Sequence, residues 1–421
     1  MLKITGARVI DPACGLDGVS DIFIGGGVFA LPGAASEIIA APGLVAAPGL
    51  VDLHVHLRDP GFEYKEDILS GARAAAAGGI TTALCMPNTN PVTDSPETLS
   101  YILKKAAAAP INILPYGAAT LGQRGRELTD FASLKACGAV ALSDDGSPIT
   151  SAAVMRAALT GAKKLGMIIS SHCEDAELAQ NFAVNEGAVS KKLALPGRPA
   201  IAEELMVARE IMLAEDTGAH VHIAHVSTAK SAELIRAAKS RGAPVTAETC
   251  PQYYTLTEDE ILLRGAFARV NPPLRTQRDV EAIIAALLDG TLDAIVTDHA
   301  PHSPEEKSRP LADAPSGMIG LETSLAATLT TLYHTGKLDL SGIIRLMSAN
   351  PAKIFGLPCG KISAGQSADL VLFDPNAEWT VRAEDFQSKS RNSPFIGKTL
   401  RGKVVMTFSR GTLVYDGRKA R

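Results

Sequence analysis

Short apolar runs alternate with alanine-rich helical patterns from about residue 48 to residue 300. Eight of these runs are rich in β-forming residues: Gly49–His56, Ile80–Met86, Ile111–Ala118, Ala139–Asp144, Met167–His172, His220–His225, Pro244–Cys250 and Asp293–Asp298. Nearly continuous apolar strands that alternate with helices indicate a parallel sheet covered on both faces. Eight such units, each ending in polar residues, predict an α/β protein with a closed (β/α)8 barrel of the TIM type. Its functional site is then expected at the carboxyl ends of the strands.

Helical patterns fill the spaces between the apolar runs. Two of them cover Tyr64–Ala77 and Pro96–Ala109, and Ser95 stands where an N-cap is expected. Two further patterns, Gly317–Thr335 and Asp339–Ala349, follow the eighth run and are expected to complete the outer ring of helices.

The two ends of the chain have a different pattern. Residues 1–47 contain short β-like pieces with glycine turns, and residues 360–421 contain three more, at Asp369–Phe373, Gly402–Thr407 and Gly411–Tyr415. Neither end has enough strands for a stable sheet of its own. We therefore expect one small β-sandwich domain formed by both termini, 1–47 and 360–421, beside a barrel domain at 48–359. Two separate appendages are the alternative.

Charge and composition exclude several classes of partner. The 41 basic and 45 acidic residues give a net charge of -4, and no basic stripe suggests a nucleic-acid partner. The first residues lack a signal-like apolar region, and no run of 18 apolar residues predicts a membrane span. The six cysteines are scattered without CxxC pairs, as in proteins with reduced thiols. We therefore expect a cytoplasmic protein.

The strongest local signal is the pair His54 and His56 at the end of the first run. Alternate residues of a strand share one face, so both imidazoles can reach one metal ion. Further histidines and aspartates stand at or just beyond other strand ends: His172, His222, His225, His299, His302, Asp144, Asp145 and Asp298. Imidazole and carboxylate groups are zinc ligands, so these residues predict a metal site on one rim of the barrel. For His220 and His222 the alternative is barrel packing or support of the site.

Motifs along essentially the whole chain resemble the amidohydrolase superfamily, and most closely its dihydroorotases. These motifs are PGLVDLHVHLRDPG, GGITTALCMPNTNP, ALSDDGSP, SHCED, HIAHVST, ARVNPPLR and VTDHAPH. HVHLRDPG and MPNTNP together are typical of dihydroorotases, whereas DHAPH is shared with allantoinases and hydantoinases.

The resemblance implies a metal centre with one or two Zn2+ ions per subunit. His54, His56 and Asp298 would hold one ion, and His172 and His225 a second. Hydantoinases, allantoinases and one class of dihydroorotases bridge the metals with a carboxylated lysine on the fourth strand. This chain has ALSDDG there, so the resemblance assigns the bridge to Asp145. Asp144 is then expected to be a supporting or turn residue.

The resemblance also implies a substrate side. Arg58, Asn88 and His302 would bind a free carboxylate, for which arginine offers a bidentate fork. Substrate contacts are also assigned to His56, Asn271, Ser316 and Gly317. A surface ion pair with Asp59 or Glu63 is the alternative for Arg58, and capping of the turn before Pro91 is the alternative for Asn88. Residues 301–317 form either a lid or a disordered loop.

By resemblance, the expected reaction is the reversible cyclisation of N-carbamoyl-L-aspartate to L-dihydroorotate plus water, in pyrimidine synthesis. Water activated on zinc would act with Asp298 as general acid and base. The segment ETCPQYYTLTEDE lacks the histidines that many dihydroorotases carry, so an allantoinase or hydantoinase is the first alternative. A non-catalytic scaffold for aspartate transcarbamoylase and a metal-dependent deaminase are the others. A homodimer and association with aspartate transcarbamoylase are both left open.

Overall fold

The computed structural model describes residues 1–419 and contains the expected barrel. Eight parallel strands are hydrogen-bonded to one another in chain order. Their bounds are Leu50–Val55, Ile80–Cys85, Asn112–Gly117, Ala141–Ser143, Ile169–Ser171, Val221–Ile223, Val245–Thr249 and Ala294–Ile295. The ring closes where Val55 bridges to His299 and the His56 amide donates to the His299 carbonyl at 2.8 Å. The prediction of a TIM-type barrel is confirmed.

Helices surround the barrel strands. One long helix follows each of the first seven strands: Ile68–Ala77, Pro96–Ala106, Phe131–Cys137, Ala152–Lys164, Ile201–Thr217, Ala229–Ser240 and Gln277–Leu288. After the eighth strand the helical segments are Ser324–Thr328, Leu329–Tyr333, Leu340–Ile344, Arg345–Ala349 and Asn350–Ile354, the second and fourth of them π-helical. Short helices within the loops are Ala176–Ala179, Ala188–Lys192, Gln252–Thr255, Glu260–Arg264 and Pro304–Lys307.

Two helices begin later than the sequence pattern predicts. The first begins at Ile68 rather than Tyr64, because the Asp67 carboxylate caps it by accepting from the Ser70 amide at 2.7 Å. The pattern beginning at Gly317 becomes helical only at Ser324, because the preceding residues bind the rim of the barrel. A local cap thus sets the start of the first helix, and contacts at the rim set the start of the second.

Strands from both termini form two further sheets. The six-stranded sheet has the order Thr412–Asp416, Thr399–Ser409, Leu370–Thr380, Val45–Pro48, Arg8–Asp11 and Leu16–Val19. The four-stranded sheet has the order Val28–Phe29, Ile22–Gly25, Leu2–Thr5 and Glu37–Ala40. Both ends of the chain therefore contribute to one β-structure, as the fold prediction requires. The domain bounds 1–47, 48–359 and 360–421 stay a proposal.

The two longest strands of the six-stranded sheet exceed the predicted pieces. Leu370–Thr380 and Thr399–Ser409 each span 11 residues, with irregular register between Asp374 and Glu378. That irregularity breaks the alternation of polar and apolar residues on which a strand prediction depends. Among residues 1–419, no helix combines the length and apolar character that a membrane crossing needs.

The hydrophobic core joins the terminal strands to the barrel. Phe373 from the six-stranded sheet is fully buried in the large cluster between the barrel strands and their helices. Phe386 and Phe395, in the connection between the two long strands, pack in the cluster that contains Leu53 inside the barrel. The terminal strands and the barrel are therefore parts of one packed structure.

Candidate metal centre

Six of the predicted site residues meet at the carboxyl ends of the barrel strands, and all of them are buried. They come from the first, fourth, fifth, sixth and eighth strands or the residues just after them: His54, His56, Asp145, His172, His225 and Asp298. Because all strands of a parallel barrel end on one rim, residues far apart in sequence converge there.

The first group consists of His54, His56 and Asp298. The Asp298 Oδ1 atom lies 3.1 Å from His56 Nε2 and 3.7 Å from His54 Nε2. One ligand atom from each of the three residues lies within 4.8 Å of the other two. The three side chains are therefore spaced to hold one metal ion.

The second group centres on Asp145. Its Oδ1 atom lies 3.3 Å from His54 Nε2, 3.4 Å from His172 Nδ1 and 3.5 Å from His225 Nε2. Its other oxygen lies 3.5 Å from His56 Nε2, so Asp145 stands between the two groups. Burial by itself raises the pKa of Asp145, but His54, His172 and His225 outweigh it and hold the pKa well below its usual range.

The donor atoms fit a metal ion. His54 Nε2 and Asp145 Oδ1 are buried, and neither has a hydrogen-bond partner within residues 1–419. The ring nitrogens His172 Nδ1 and His225 Nε2 face each other at 2.7 Å. A cation would satisfy His54 Nε2 and Asp145 Oδ1, which otherwise carry the cost of burial without a partner. Nitrogen ligands combined with carboxylate oxygens are the set that Zn2+ prefers.

A cavity of about 200 Å3 opens beside these ligands. Except for His54, every residue assigned to the site from the sequence lines it: His56, Arg58, Asn88, Asp145, His172, His225, Asn271, Asp298, His302, Ser316 and Gly317. Metal ligands and candidate substrate contacts therefore share one cavity.

Arg58 faces this cavity rather than a surface carboxylate. Its Nε atom donates to the Pro301 carbonyl at 3.2 Å, and burial lowers its pKa. Asp59 instead pairs with Lys105 at 2.6 Å, which argues against the surface ion pair considered for Arg58. The guanidinium group is thus available to a ligand in the cavity.

Asn88 and His302 also have defined partners at the cavity. Asn88 Oδ1 lies 2.9 Å from His56 Nδ1, so Asn88 orients the ring of a candidate metal ligand instead of serving only to cap a turn. His302 Nε2 donates to the Ser316 carbonyl at 2.8 Å. Burial lowers the pKa of His302, and nearby Arg58 lowers it further, so this ring is neutral at pH 7.

Asn271 stands on the opposite side of the cavity. Its Nδ2 atom lies 3.4 Å from His172 Nε2, and its Oδ1 atom accepts a hydrogen bond from Arg198. Arg198 also binds Glu174 at 2.6 Å. These contacts hold the Asn271 amide beside the second group of metal ligands.

Three site residues have left-handed backbone conformations. The φ angles are 60° at Arg58, 34° at His225 and 49° at Asp298. Such angles are uncommon for residues other than glycine and are found preferentially at functional sites. The rim of the barrel is therefore strained where the expected ligands stand.

Comparison with known proteins identifies the family. Residues 43–231 match the family model described as dihydro-orotase-like. The chain is 50% identical over 422 aligned positions to a dihydroorotase of Citrifermentans bemidjiense, covering 99% of each chain. It is 46% identical to a dihydroorotase of Acetivibrio thermocellus, covering 98% of each. The chain belongs to the dihydroorotase family. It is accordingly an enzyme of the cyclic amide hydrolase class.

A solved structure supports the same fold for this member of the dihydroorotase family. The L-hydantoinase (dihydropyrimidinase) from Arthrobacter aurescens superposes with a TM-score of 0.87 at 27% identity. The match covers 99% of this chain and 96% of the hydantoinase. The predictions of a TIM-type barrel and of membership in the dihydroorotases are both confirmed.

The sequence analysis missed Glu248, which supports the metal-binding side of this dihydroorotase-family barrel. This fully buried residue of the seventh strand contacts His54 Nδ1 at 2.8 Å and His222 Nε2 at 3.0 Å. Burial raises its pKa, but His222 and His54 outweigh this effect and lower the pKa to about 2. His222 and His220 both contact Thr246 Oγ1 at 2.8 Å. These contacts agree with the alternative considered for the two histidines, which was barrel packing or support of the site. The sequence offered one signal for this role: Glu248 is a charged residue two positions after Thr246 in a strand, so both side chains lie on the same face.

Asp144 has a separate role from its neighbour Asp145. Its Oδ1 atom accepts from the Ala119 amide at 2.8 Å and from the Thr120 amide at 3.0 Å. These bonds hold the loop after the third strand. Asp144 is therefore a turn-stabilising residue, which is one of the roles expected for it.

Residues 301–317 form a packed loop that includes the short helix Pro304–Lys307. Lys307 is buried, and its Nζ atom donates to the carbonyl groups of Pro315 and Gly317, both at 2.9 Å. The loop is thereby fixed from within, and it brings His302, Ser316 and Gly317 to the cavity.

Proposed function

We propose that this chain catalyses the reversible cyclisation of N-carbamoyl-L-aspartate to L-dihydroorotate and water in pyrimidine biosynthesis. One observation carries the proposal. The cavity of about 200 Å3 joins a carboxylate-binding side, with Arg58 and His302, to a reactive side with Asp298 and the candidate metal ligands. A substrate that carries one free carboxylate beside a reacting amide matches that arrangement.

Arg58, Asn88 and His302 bind the free carboxylate of the substrate. The guanidinium group offers parallel donors to a carboxylate, and neutral His302 lies beside it without adding charge. Asn271 and the backbone of Ser316 and Gly317 contact the rest of the ring. Fixing the substrate in this way lowers the barrier by orienting the reacting atoms.

Asp298 moves the proton. In the biosynthetic direction its carboxylate takes a proton from the carbamoyl nitrogen as this nitrogen attacks the side-chain carboxyl carbon. It then returns this proton to the carboxylate oxygen whose bond to that carbon breaks, and the oxygen leaves as hydroxide, which a solvent proton converts to water. In hydrolysis it takes a proton from the attacking water and delivers it to the departing ring nitrogen. Asp298 Oδ1 lies 3.1 Å from His56 Nε2, and Asp298 lines the cavity. From this position its carboxylate can exchange a proton with the attacking water and with the ring nitrogen of a substrate in the cavity.

We infer that the metal is zinc, with one or two ions held by His54, His56, Asp145, His172, His225 and Asp298. Zinc supplies polarisation of the reacting carbonyl and lowers the pKa of water to about 7. Asp145 stands between the two groups of ligands, because its Oδ2 atom faces His56 of the first group and its Oδ1 atom faces His172 and His225 of the second.

A hydantoinase is the second candidate, because a hydantoinase structure shares the fold at a TM-score of 0.87. Hydantoin itself carries no free carboxylate, so Arg58 would have no anionic partner in that reaction. Dihydroorotate carries a carboxylate that can pair with Arg58, so it matches the charge of the cavity better than hydantoin does.

The test is an absorbance assay of the zinc-loaded protein with L-dihydroorotate, with allantoin and hydantoin in parallel. We expect turnover of dihydroorotate, and a loss of kcat of at least about 100-fold in Asp298→Asn. Asp216→Asn, at an exposed position of the helix Ile201–Thr217, controls for preparation, and the Asp298→Asn sample itself reveals any contaminating enzyme.

Turnover of hydantoin or allantoin in place of dihydroorotate would refute the substrate assignment. An Asp298→Asn protein as active as Asp216→Asn would refute the role of Asp298. Inactivity on all three substrates would favour a scaffold function, and binding to aspartate transcarbamoylase would then be measured directly.

A further inference from the structure

The connection between the two long C-terminal strands, residues 381–398, reaches the loops at the active rim of the barrel. Ser390 Oγ donates to the Lys65 carbonyl at 2.7 Å, and Lys389 Nζ donates to the Glu63 carbonyl at 2.9 Å. Both acceptors belong to the loop after the first strand, which also carries Arg58. The connection thus contacts one of the two loops that form the carboxylate-binding side.

Asn392 in the same connection contacts the other loop, which follows the eighth strand. Its Oδ1 atom accepts from the His302 amide at 3.1 Å. Its Nδ2 atom donates to the Ala300 carbonyl at 3.1 Å and to the Gly317 carbonyl at 3.0 Å. Its backbone carbonyl accepts from the Ile319 amide at 2.9 Å. One side chain thus joins both ends of the loop.

Asn392 depends on these hydrogen bonds because it is buried. The residue is 2% exposed, so a lost partner is not replaced by bulk water. Gly317, which has a φ of 138°, leaves no room for a side chain, since a Cβ atom there would lie 2.8 Å from the Ala300 carbonyl oxygen. The two arms of the loop are therefore in close contact, and Asn392 spans them.

Asn392 does not line the cavity itself, whereas His302 and Gly317 do. We infer that Asn392 is a positioning residue for substrate binding, which fixes His302 and Gly317 at the carboxylate-binding side of the cavity. This inference rests on the proposed function, since it needs dihydroorotate as the substrate. By this inference, Asn392, a residue of the C-terminal segment, influences the affinity of the protein for its substrate.

The test measures KM and kcat for L-dihydroorotate with zinc-loaded wild-type protein and the variants Asn392→Ala and Asn392→Asp. Ser393→Ala is the matched control, because Ser393 is equally buried in the same connection but its Oγ atom accepts only from the local Phe395 amide, at 3.3 Å. Asn392→Ala removes all three side-chain hydrogen bonds, and we expect it to raise KM about tenfold, with a smaller change in kcat, because the carboxylate-binding side is no longer held in place. Asn392→Asp keeps the acceptor for His302 but turns a carboxylate oxygen toward the carbonyl groups of Ala300 and Gly317, which repel it, so we expect a rise at least as large.

The split between KM and kcat separates positioning from general destabilisation. Partial unfolding lowers the concentration of active enzyme, which reduces the apparent kcat but leaves KM unchanged. KM can therefore be read from whatever fraction of a variant folds. Wild-type protein that fails to turn over dihydroorotate would refute the proposed function itself. An active wild type with an Asn392→Ala KM within about twofold of it, or with an equal rise in Ser393→Ala, would refute the role of Asn392.

Discussion

At the scale of single residues, the orientation of each ligand depends on a second side chain. His54 donates its Nδ1 hydrogen to Glu248, which leaves the lone pair of Nε2 directed at Asp145 and Asp298. Asn88 does the same for His56. A hydrogen bond to the outer nitrogen fixes both the tautomer and the angle of the ring, and so prepares the inner nitrogen for a metal.

Glu248→Gln is expected to weaken zinc binding by about 10- to 100-fold. The amide keeps the shape of the side chain but removes the charge that holds His54 and His222. Competition with a chromophoric chelator gives the zinc affinity. Glu258→Gln, a second buried glutamate that binds Asn185 at 2.7 Å, is the control. Equal zinc affinity in the two variants would contradict the role given to Glu248.

At the scale of elements, the loop after the first strand is fixed where it enters its helix. Asp67 caps Ile68–Ala77 by accepting from the Ser70 amide at 2.7 Å, and it pairs with Lys389 at 2.5 Å. One carboxylate therefore stabilises the helix start and connects it to the C-terminal segment. Burial raises the pKa of Asp67, but Lys389 and the Ser70 amide outweigh it and lower the pKa to about 2.

Asp67→Ala is expected to lower the free energy of unfolding by about 1 kcal/mol at pH 7, the usual effect of losing an N-cap. The folded pKa lies below the unfolded one, so the charged carboxylate stabilises the protein above about pH 4. This stabilisation is lost as the pH falls through about 2. Urea unfolding at pH 7 and pH 3 measures the difference from wild type, which should shrink at pH 3. Asp67→Asn keeps a capping oxygen without the charge, and it should lie between the other two proteins at pH 7.

At the scale of the whole molecule, the candidate metal ligands come from five of the eight strands, so an ion bound there would connect distant parts of the barrel. The unfolded chain has no such arrangement, and an ion that binds only the folded state stabilises it. The terminal strands add a second connection, because Phe373 packs in the same core as the barrel helices.

Removal of zinc by a chelator is therefore expected to lower Tm. Zinc at 100 times its Kd stabilises the folded state by about 2.7 kcal/mol, and the chelator removes this gain. Calorimetry with and without zinc measures the shift. His225→Ala should reduce it, whereas His334→Ala, whose ring contacts the Pro375 carbonyl away from the site, should not. An unchanged Tm of the wild-type protein on zinc removal would contradict the metal site.

The sequence by itself determined the barrel and the residues of its rim. Eight apolar runs alternate with helices, and a parallel barrel brings the ends of its strands together, so the residues that end these runs belong to one site. The fourth run contains no lysine, and the resemblance to dihydroorotases assigned to Asp145, just after it, the position between the two groups of candidate metal ligands.

Only the tertiary structure decided how these residues are held. Glu248 and His54 lie 194 residues apart, and Asn392 lies 90 residues beyond His302. A local pattern of polar and apolar residues specifies which face of an element is buried, but not which distant side chain or loop it meets there.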